Sequence, residues 1–311
     1  MKQPPRLCVV SLNPAIDAEW RVDDLRWEEK NVVLAQRRWA GGKGANVARW
    51  LNFLGGKCEL LIPLGGATGH EIQQQLRADG IRIHVVPVRG NTRVNVVITA
   101  SNGRQMRFNQ PGARLGSANW RAVLGRVQKL AEQGFHLILS GSLGPRLPLN
   151  SYAKLLRTIR NSGARTFLDC DGEALKLAVA ERPFLVKPNR HELGQWAGRS
   201  LRSLTSVRNA ALAMSGVTGG WVLVSLSADG AMLVNAAEQF TAHMRAERVN
   251  VVNTLGAGDA TLAAAANSAM SGANPIEWLR AAVTAGTAAT QCEPGRLVSH
   301  RAVRAIAAKI R

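Results

Sequence analysis

The sequence predicts an α/β protein: a mostly parallel sheet covered by helices on both faces, with a smaller β-rich lid, all in one domain spanning residues 1–311. In the second half, short and continuously apolar runs alternate with longer amphipathic segments, the pattern of strands buried on both faces and of the helices that cover them. In the first half, apolar and polar residues alternate over short runs, as in a half-exposed sheet. A chain of 311 residues, 46% hydrophobic and with 30 glycines, can bury one large core and make many tight turns. No repeat, linker or low-complexity tract divides it.

In chain order, residues 6–13 read as a first buried strand. The preceding Met1-Lys2-Gln3-Pro4-Pro5-Arg6 and the apolar run ending at Leu12 are too short for a signal-peptide core. Lid segments are expected near 15–38 and 81–110, where Val94-Asn95-Val96-Val97-Ile98-Thr99 alternates, and they should pair as a small antiparallel sheet. Residues 44–54 form a helix that Gly55-Gly56 closes. The apolar runs 135–140, 165–170, 183–187 and 221–226 are the later strands. Helices are expected near 149–162, 171–180, 189–197 and 204–216, joined to the strands by right-handed crossovers.

Composition removes several function classes. No stretch approaches the roughly 18 apolar residues of a membrane helix. Cys8, Cys58, Cys170 and Cys292 are far apart, with neither a C-x-x-C pair nor histidines at zinc spacing. They read as small core residues of a protein in a reducing cytoplasm. The net charge of +19 invites a nucleic-acid partner. Its carriers are dispersed, however, and a single Tyr offers little stacking surface, so a diffuse field that gathers anionic substrates fits better.

The chemistry concentrates in Asn253-Thr254-Leu255-Gly256-Ala257-Gly258-Asp259, which runs into an alanine-rich helix former. Glycines at a helix N-terminus let backbone N–H groups approach an anion that the dipole also favours. Asp259 falls in the first turn. An anion cradle beside a carboxylate is the equipment of phosphoryl transfer: the cradle neutralises the moving group and the carboxylate readies the attacking hydroxyl. The spacing is neither a Walker A loop nor a dinucleotide fingerprint. A second cluster, Gly41-Gly42-Lys43-Gly44-Ala45-Asn46, also opens a helix and suits sugar hydroxyls through backbone donors, Lys43 and Asn46. Taken alone it equally fits a plain loop-to-helix turn.

These two clusters resemble the two signatures of the PfkB carbohydrate kinases. The stretches Ser140–Leu143, Leu185–Glu192 and Val222–Gly230 stand between them in that family's order and spacing. The resemblance covers nearly the whole chain and falls in the branch of phosphofructokinases and tagatose-6-phosphate kinases. It implies a Rossmann-like, three-layer, ribokinase-like core, ATP with Mg2+, and a homodimer formed through the lid. Carried over by motif, Asp259 is the proton acceptor, with Gly256, Ala257 and Gly258 as the anion hole. Asp17, in Ser11-Leu12-Asn13-Pro14-Ala15-Ile16-Asp17, holds sugar hydroxyls together with Gly42, Gly44 and Asn46. Arg93 and Asn95 match the lid segment that contacts substrate, where the Arg93 fork suits a phosphate. Arg107 is a second phosphate ligand and Ser142 touches the sugar. Lys187, Asn189, Ser225, Ser227, Gly230 and Gly258 lie along the nucleotide, and Glu192 holds Mg2+ through water.

The family pattern is not followed everywhere. Leu255 and Ala260 replace Val and Ser around Asp259, Ser227 stands where glycine is common, and Gly144-Pro145-Arg146 replaces Pro-Pro-Gly. Lys43 with the two lid arginines favours an acceptor that already carries a phosphate. Gly65–His70, Arg107-Phe108 and Arg296–His300 resemble the minor bacterial 6-phosphofructokinase. Lys43 and the run from Lys187 to Gly198 resemble 1-phosphofructokinase. Fructose 6-phosphate is the expected acceptor, with fructose 1-phosphate or a tagatose phosphate as alternatives. A non-catalytic basic regulatory or nucleic-acid-binding protein on a kinase fold is the alternative of another class.

Overall fold

A computed structural model describes residues 5–310; Met1–Pro4 and Arg311, which the one-domain reading takes in, lie outside the described residues. The main sheet has nine strands, ordered edge to edge as Phe240–Met244, Ala231–Asn235, Trp221–Ser225, Leu185–Val186, Thr166–Asp169, Phe135–Ser140, Arg6–Val10, Cys58–Leu64 and Arg82–Pro87. The first two run antiparallel to their neighbours. Every other adjacent pair is parallel.

Alternation along the strands builds the two faces. Leu7 and Val9 point into one apolar cluster with the helices Ala257–Met270 and Pro275–Ala289. Cys8 and Val10 point into the other, with the helices Ser117–Glu132, Ser151–Thr158 and Leu204–Thr218. Side chains one residue apart face opposite ways, so each central strand is apolar throughout and the fold has three layers. The strand expected over 183–187 shrinks to Leu185–Val186 because Pro183 and Pro188 cannot donate to a ladder.

The second sheet has four strands, ordered Ala35–Gly41, Ala15–Val22, Arg93–Ala100 and Gln105–Asn109. Two expectations are corrected here. The sheet is mixed, because Ala15–Val22 and Arg93–Ala100 run parallel. The second segment begins at Arg93 and not near 81, because Arg82–Pro87 pairs with Cys58–Leu64 in the main sheet. The apolar residues of that edge strand serve both main cores, Ile83 and Val85 on one side and Val86 on the other. A short alternating pattern marks a strand without saying which sheet it joins.

All four cysteines are free thiols, with Cys8 and Cys170 buried. Among the described residues no helix is long and apolar enough to cross a membrane. The parallel strands all end on one edge, and Ser140, Asp169, Lys187 and Ser225 stand there, at or just past their strand ends. In open α/β sheets ligands bind along that edge.

Candidate active site

A cleft of about 1240 Å³ runs between the carboxyl edge of the main sheet and the small sheet. Every residue assigned a catalytic, sugar, nucleotide or Mg2+ role by motif lines it except Gly44. Gly44 lies behind the wall: a Cβ there would stand 2.5 Å from Ser11 Cβ, so its absence lets the helix Lys43–Phe53 press onto the first strand.

Asp259 sits in the first turn of the helix Ala257–Met270, 6% exposed. Gly256 caps that helix at φ 80°, a left-handed conformation natural to glycine. Asn46 Nδ2 donates to Asp259 Oδ2 at 2.8 Å and fixes the carboxylate in the cleft. Burial first, and then the nearby charge of Asp169, push the Asp259 carboxyl up to about 6 against the pull of Asn46, Lys43 and Lys187. The group is ionised at neutral pH yet basic enough to take a proton. Gly258 faces the Lys187 ammonium, which would lie 3.5 Å from a Cβ at that position. The Ala257 amide already leans on Thr254 O at 3.4 Å.

Asp169 is the residue that sequence reasoning missed. It ends the strand Thr166–Asp169, is 1% exposed, and joins two ammonium groups: Lys43 Nζ at 2.9 Å and Lys187 Nζ at 3.2 Å. Burial alone would raise its carboxyl, but Lys187 and Lys43 outweigh burial and hold it below the usual carboxylate range. Burial likewise opposes the charge of Lys43, and Asp169, Glu192 and Asp259 more than restore it. Lys43 therefore stands with Asp169 and Lys187 and close to Asp259, in the same cleft that Arg93 and Arg107 line. The available signal was a lone acid closing an otherwise apolar strand.

Asn189 and Glu192 form a capping box at the helix Arg190–Trp196: Glu192 N donates to Asn189 Oδ1 and Asn189 N to Glu192 Oε2, both at 2.8 Å. Glu192 Oε1 stays on the cleft side, 4.0 Å from Lys43 Nζ. The box was spelled out as N-x-x-E. Ser225, Ser227 and Gly230 line the same end of the cleft. Ser227 holds φ 56°, which explains why glycine is common there, and Gly230 passes so close to Met244 O that a Cβ would stand 1.9 Å away.

On the opposite side, register sets Asp17 beside Asn95, and Asn95 Nδ2 donates to Asp17 Oδ1 at 2.8 Å. Asp17 Oδ2 lies 3.4 Å from the Gly42 amide. Gly41 makes room for that carboxylate, since a Cβ would fall 2.1 Å from Oδ2. Burial raises the Asp17 carboxyl, partly offset by Asn95 and Gly42. Asn95 Oδ1 is buried without a partner. Arg93 is stitched to three backbone carbonyls, Asn13 and Gln110 at 2.9 Å and Pro14 at 3.3 Å. Ser142 Oγ accepts from Asn13 Nδ2 at 3.2 Å. Arg107 is exposed at the rim and donates to Gln105 Oε1 at 3.0 Å.

A glycine-capped helix N-terminus, a buried carboxylate raised to about 6 and paired ammonium groups in one cleft suit the transfer of a phosphoryl group to a hydroxyl. The sequence profile of the pfkB family of carbohydrate kinases matches residues 6–299. The chain belongs to that family. As a pfkB kinase it is a phosphotransferase with a sugar alcohol group as acceptor. The 1-phosphofructokinase of Rhodobacter capsulatus is 39% identical over 281 residues, covering 89% of this chain and 88% of that one. The ATP-dependent 6-phosphofructokinase isozyme 2 of Escherichia coli strain K12 is 33% identical over 299 residues, covering 95% and 96%. The crystal structure of phosphofructokinase-2 from Escherichia coli in complex with potassium superposes with a TM-score of 0.93 at 32% identity, over 98% and 99% of the two chains. Arabidopsis thaliana ribokinase, 20% identical with a TM-score of 0.79, shares the fold alone.

Proposed function

We propose that this pfkB kinase transfers the γ-phosphoryl group of ATP to a free hydroxyl of fructose 6-phosphate, giving fructose 1,6-bisphosphate. The observation that carries the reading is Asp259: a buried carboxylate, clamped by Asn46 and raised to about 6, at the mouth of a glycine-capped helix. In that role Asp259 orients the attacking hydroxyl and accepts its proton. The amides of Gly256, Ala257 and Gly258, the helix dipole, and the ammonium groups of Lys43 and Lys187 balance charge on the moving phosphoryl group.

Asp17 and Asn95 suit the sugar hydroxyls, and the partnerless Asn95 Oδ1 is the acceptor a hydroxyl would satisfy. Gly42, Gly44, Asn46 and Ser142 shape the same end. Arg93 keeps two of its five N–H groups beyond its three carbonyl bonds, and with Arg107 it suits the phosphate the sugar already carries. Lys187, Asn189, Ser225, Ser227, Gly230 and Gly258 suit the nucleotide.

No three His, Cys, Asp or Glu side chains converge into a metal site among the described residues. Mg2+ that arrives with a nucleotide keeps several waters and takes few protein ligands. The Glu192 carboxylate, whose Oε1 stays on the cleft side, supplies the hard oxygen that fits such a hold. Bound there, Mg2+ would screen the triphosphate.

A second acceptor, fructose 1-phosphate, is favoured by the relative at 39% identity. The small sheet carries exposed apolar residues at Trp20 and Phe108, and the loop between its strands Ala15–Val22 and Ala35–Gly41 adds Trp27, Val32, Val33 and Leu34, a set suited to a homodimer contact. A phosphofructokinase-2 structure at 31% identity is described as a tetrameric inhibited form, an assembly state of that protein. Coupled assays of ATP consumption with fructose 6-phosphate, fructose 1-phosphate and tagatose 6-phosphate test the acceptor. The highest kcat/KM is expected for fructose 6-phosphate, and a preference for either other sugar would reassign it.

A further inference from the structure

We propose that Glu293 is a positioning residue for phosphoryl transfer, tying the small sheet, which carries the sugar-side groups, to the Asn253–Gly258 turn that faces the phosphoryl group. The proposal takes the pfkB reaction centred on Asp259 as its frame and adds a group outside the recognised motifs.

The loop after the helix Pro275–Ala289 makes bonds in two directions. Towards the small sheet, Glu293 Oε2 accepts from Arg37 Nη1 at 2.6 Å and Oε1 from Arg21 Nη2 at 3.1 Å. Arg21 and Arg37 stand on adjacent antiparallel strands, so one carboxylate spans both. Arg37 Nη2 adds a bond to Pro294 O at 3.0 Å. Gly295 lies so close to the Trp39 indole that a Cβ would meet the ring at 2.5 Å. Glu19, 4% exposed, backs the clamp with its Oε2 3.7 Å from Arg21 Nε.

Towards the catalytic turn, Cys292 O accepts from Asn253 Nδ2 at 2.8 Å, and Asn253 Oδ1 accepts from the Leu255 amide. Thr290 O takes the amides of Val252 and Asn253 at 2.8 and 3.1 Å. Leu255 adjoins Gly256, the cap of the Asp259 helix. A displacement of Arg37 on the sugar side therefore reaches Gly256 through a path in which hydrogen bonds alternate with the covalent links Glu293–Cys292 and Leu255–Gly256. A carboxylate is apt at position 293 because it can serve two guanidinium groups at once, each through a charge-assisted bond. Its side chain is 38% exposed, and exposed ion pairs add little to stability, so its removal leaves the fold intact and alters placement.

The test is hydrogen–deuterium exchange on the full chain without ligands, comparing Glu293→Ala and Arg37→Ala with Arg38→Ala. Arg38 is the adjacent small-sheet residue but pairs with Glu71, away from the loop. Exchange at the 255–259 amides is expected to rise on the order of threefold in the first two variants and to stay at the wild-type rate in the third. In parallel, kcat of Glu293→Ala is expected to fall on the order of tenfold with the KM for ATP unchanged, and Glu293→Gln, which keeps one acceptor oxygen, to recover part of it. Unchanged exchange in Glu293→Ala, or an equal rise in Arg38→Ala, overturns the proposal. If wild-type protein turns over none of the fructose phosphates, the proposed acceptor fails while the exchange comparison still decides the clamp.

Discussion

Asp259 is costly to keep as a carboxylate, and that tension can be measured. Its folded pKa, about 6, lies above its ordinary value of 3.8, so the native state binds the proton more tightly than the unfolded chain. The ionised group is thus destabilising above pH 6, and the penalty disappears as pH falls from about 6 towards 3.8. Asp259→Asn is expected to raise the unfolding free energy at pH 7 by up to about 3 kcal/mol, with no gain near pH 3, as read by urea denaturation at the two pH values. A loss of stability at pH 7 would mean that Asp259 is held by partners it needs charged. Arg93→Ala is expected to raise the KM for the sugar phosphate with a smaller change in kcat. Because Arg93 also holds three backbone carbonyls through its fork, Arg93→Lys should fail to restore it. An unchanged KM in both variants would make Arg93 a purely structural tether. The signature motifs made Asp259, Asp17 and Lys187 legible because their neighbours are glycines, prolines and asparagines in fixed order. Asp169 was not legible, since one acid in a short apolar run carries no pattern until the fold brings two lysines to it.

At the scale of elements, the parallel core was legible because its central strands are apolar on both faces and the helices near 149–162, 171–180, 189–197 and 204–216 are amphipathic. The partners of Arg82–Pro87 and Arg93–Ala100 were not, because alternation fixes which side chains share a face and leaves open which strand lies alongside. The departures Arg146 and Ser227, visible as missing glycines, acquire a physical meaning in the backbone: they hold φ 62° and φ 56°. Arg146 is exposed and outside the cleft lining, which makes it the cleaner probe. Arg146→Gly is expected to stabilise the fold by about 1 kcal/mol, the cost of a left-handed conformation for a residue with a Cβ. Arg146→Ala, which keeps the Cβ, should gain nothing in the same denaturant titration. Equal gains in both would place the strain in the arginine side chain.

For the molecule as a whole, 40 basic against 21 acidic residues give a positive field that favours anionic ligands. The loop joining the strands Ala15–Val22 and Ala35–Gly41 of the small sheet adds exposed apolar surface at Trp27 and Leu34, 74% and 63% exposed. If a second copy covers that face, Trp27→Asp with Leu34→Asp should convert a dimer to monomers in sedimentation equilibrium. An unchanged mass would move the contact elsewhere. The account's central claim is tested by the steady-state turnover of Asp259→Asn with fructose 6-phosphate, measured alongside ATP binding. ATP affinity within a few-fold of wild type and a fall in kcat of roughly 10²–10⁴-fold are expected for loss of a general base. Turnover within about tenfold of wild type would contradict the assignment of Asp259 as that base.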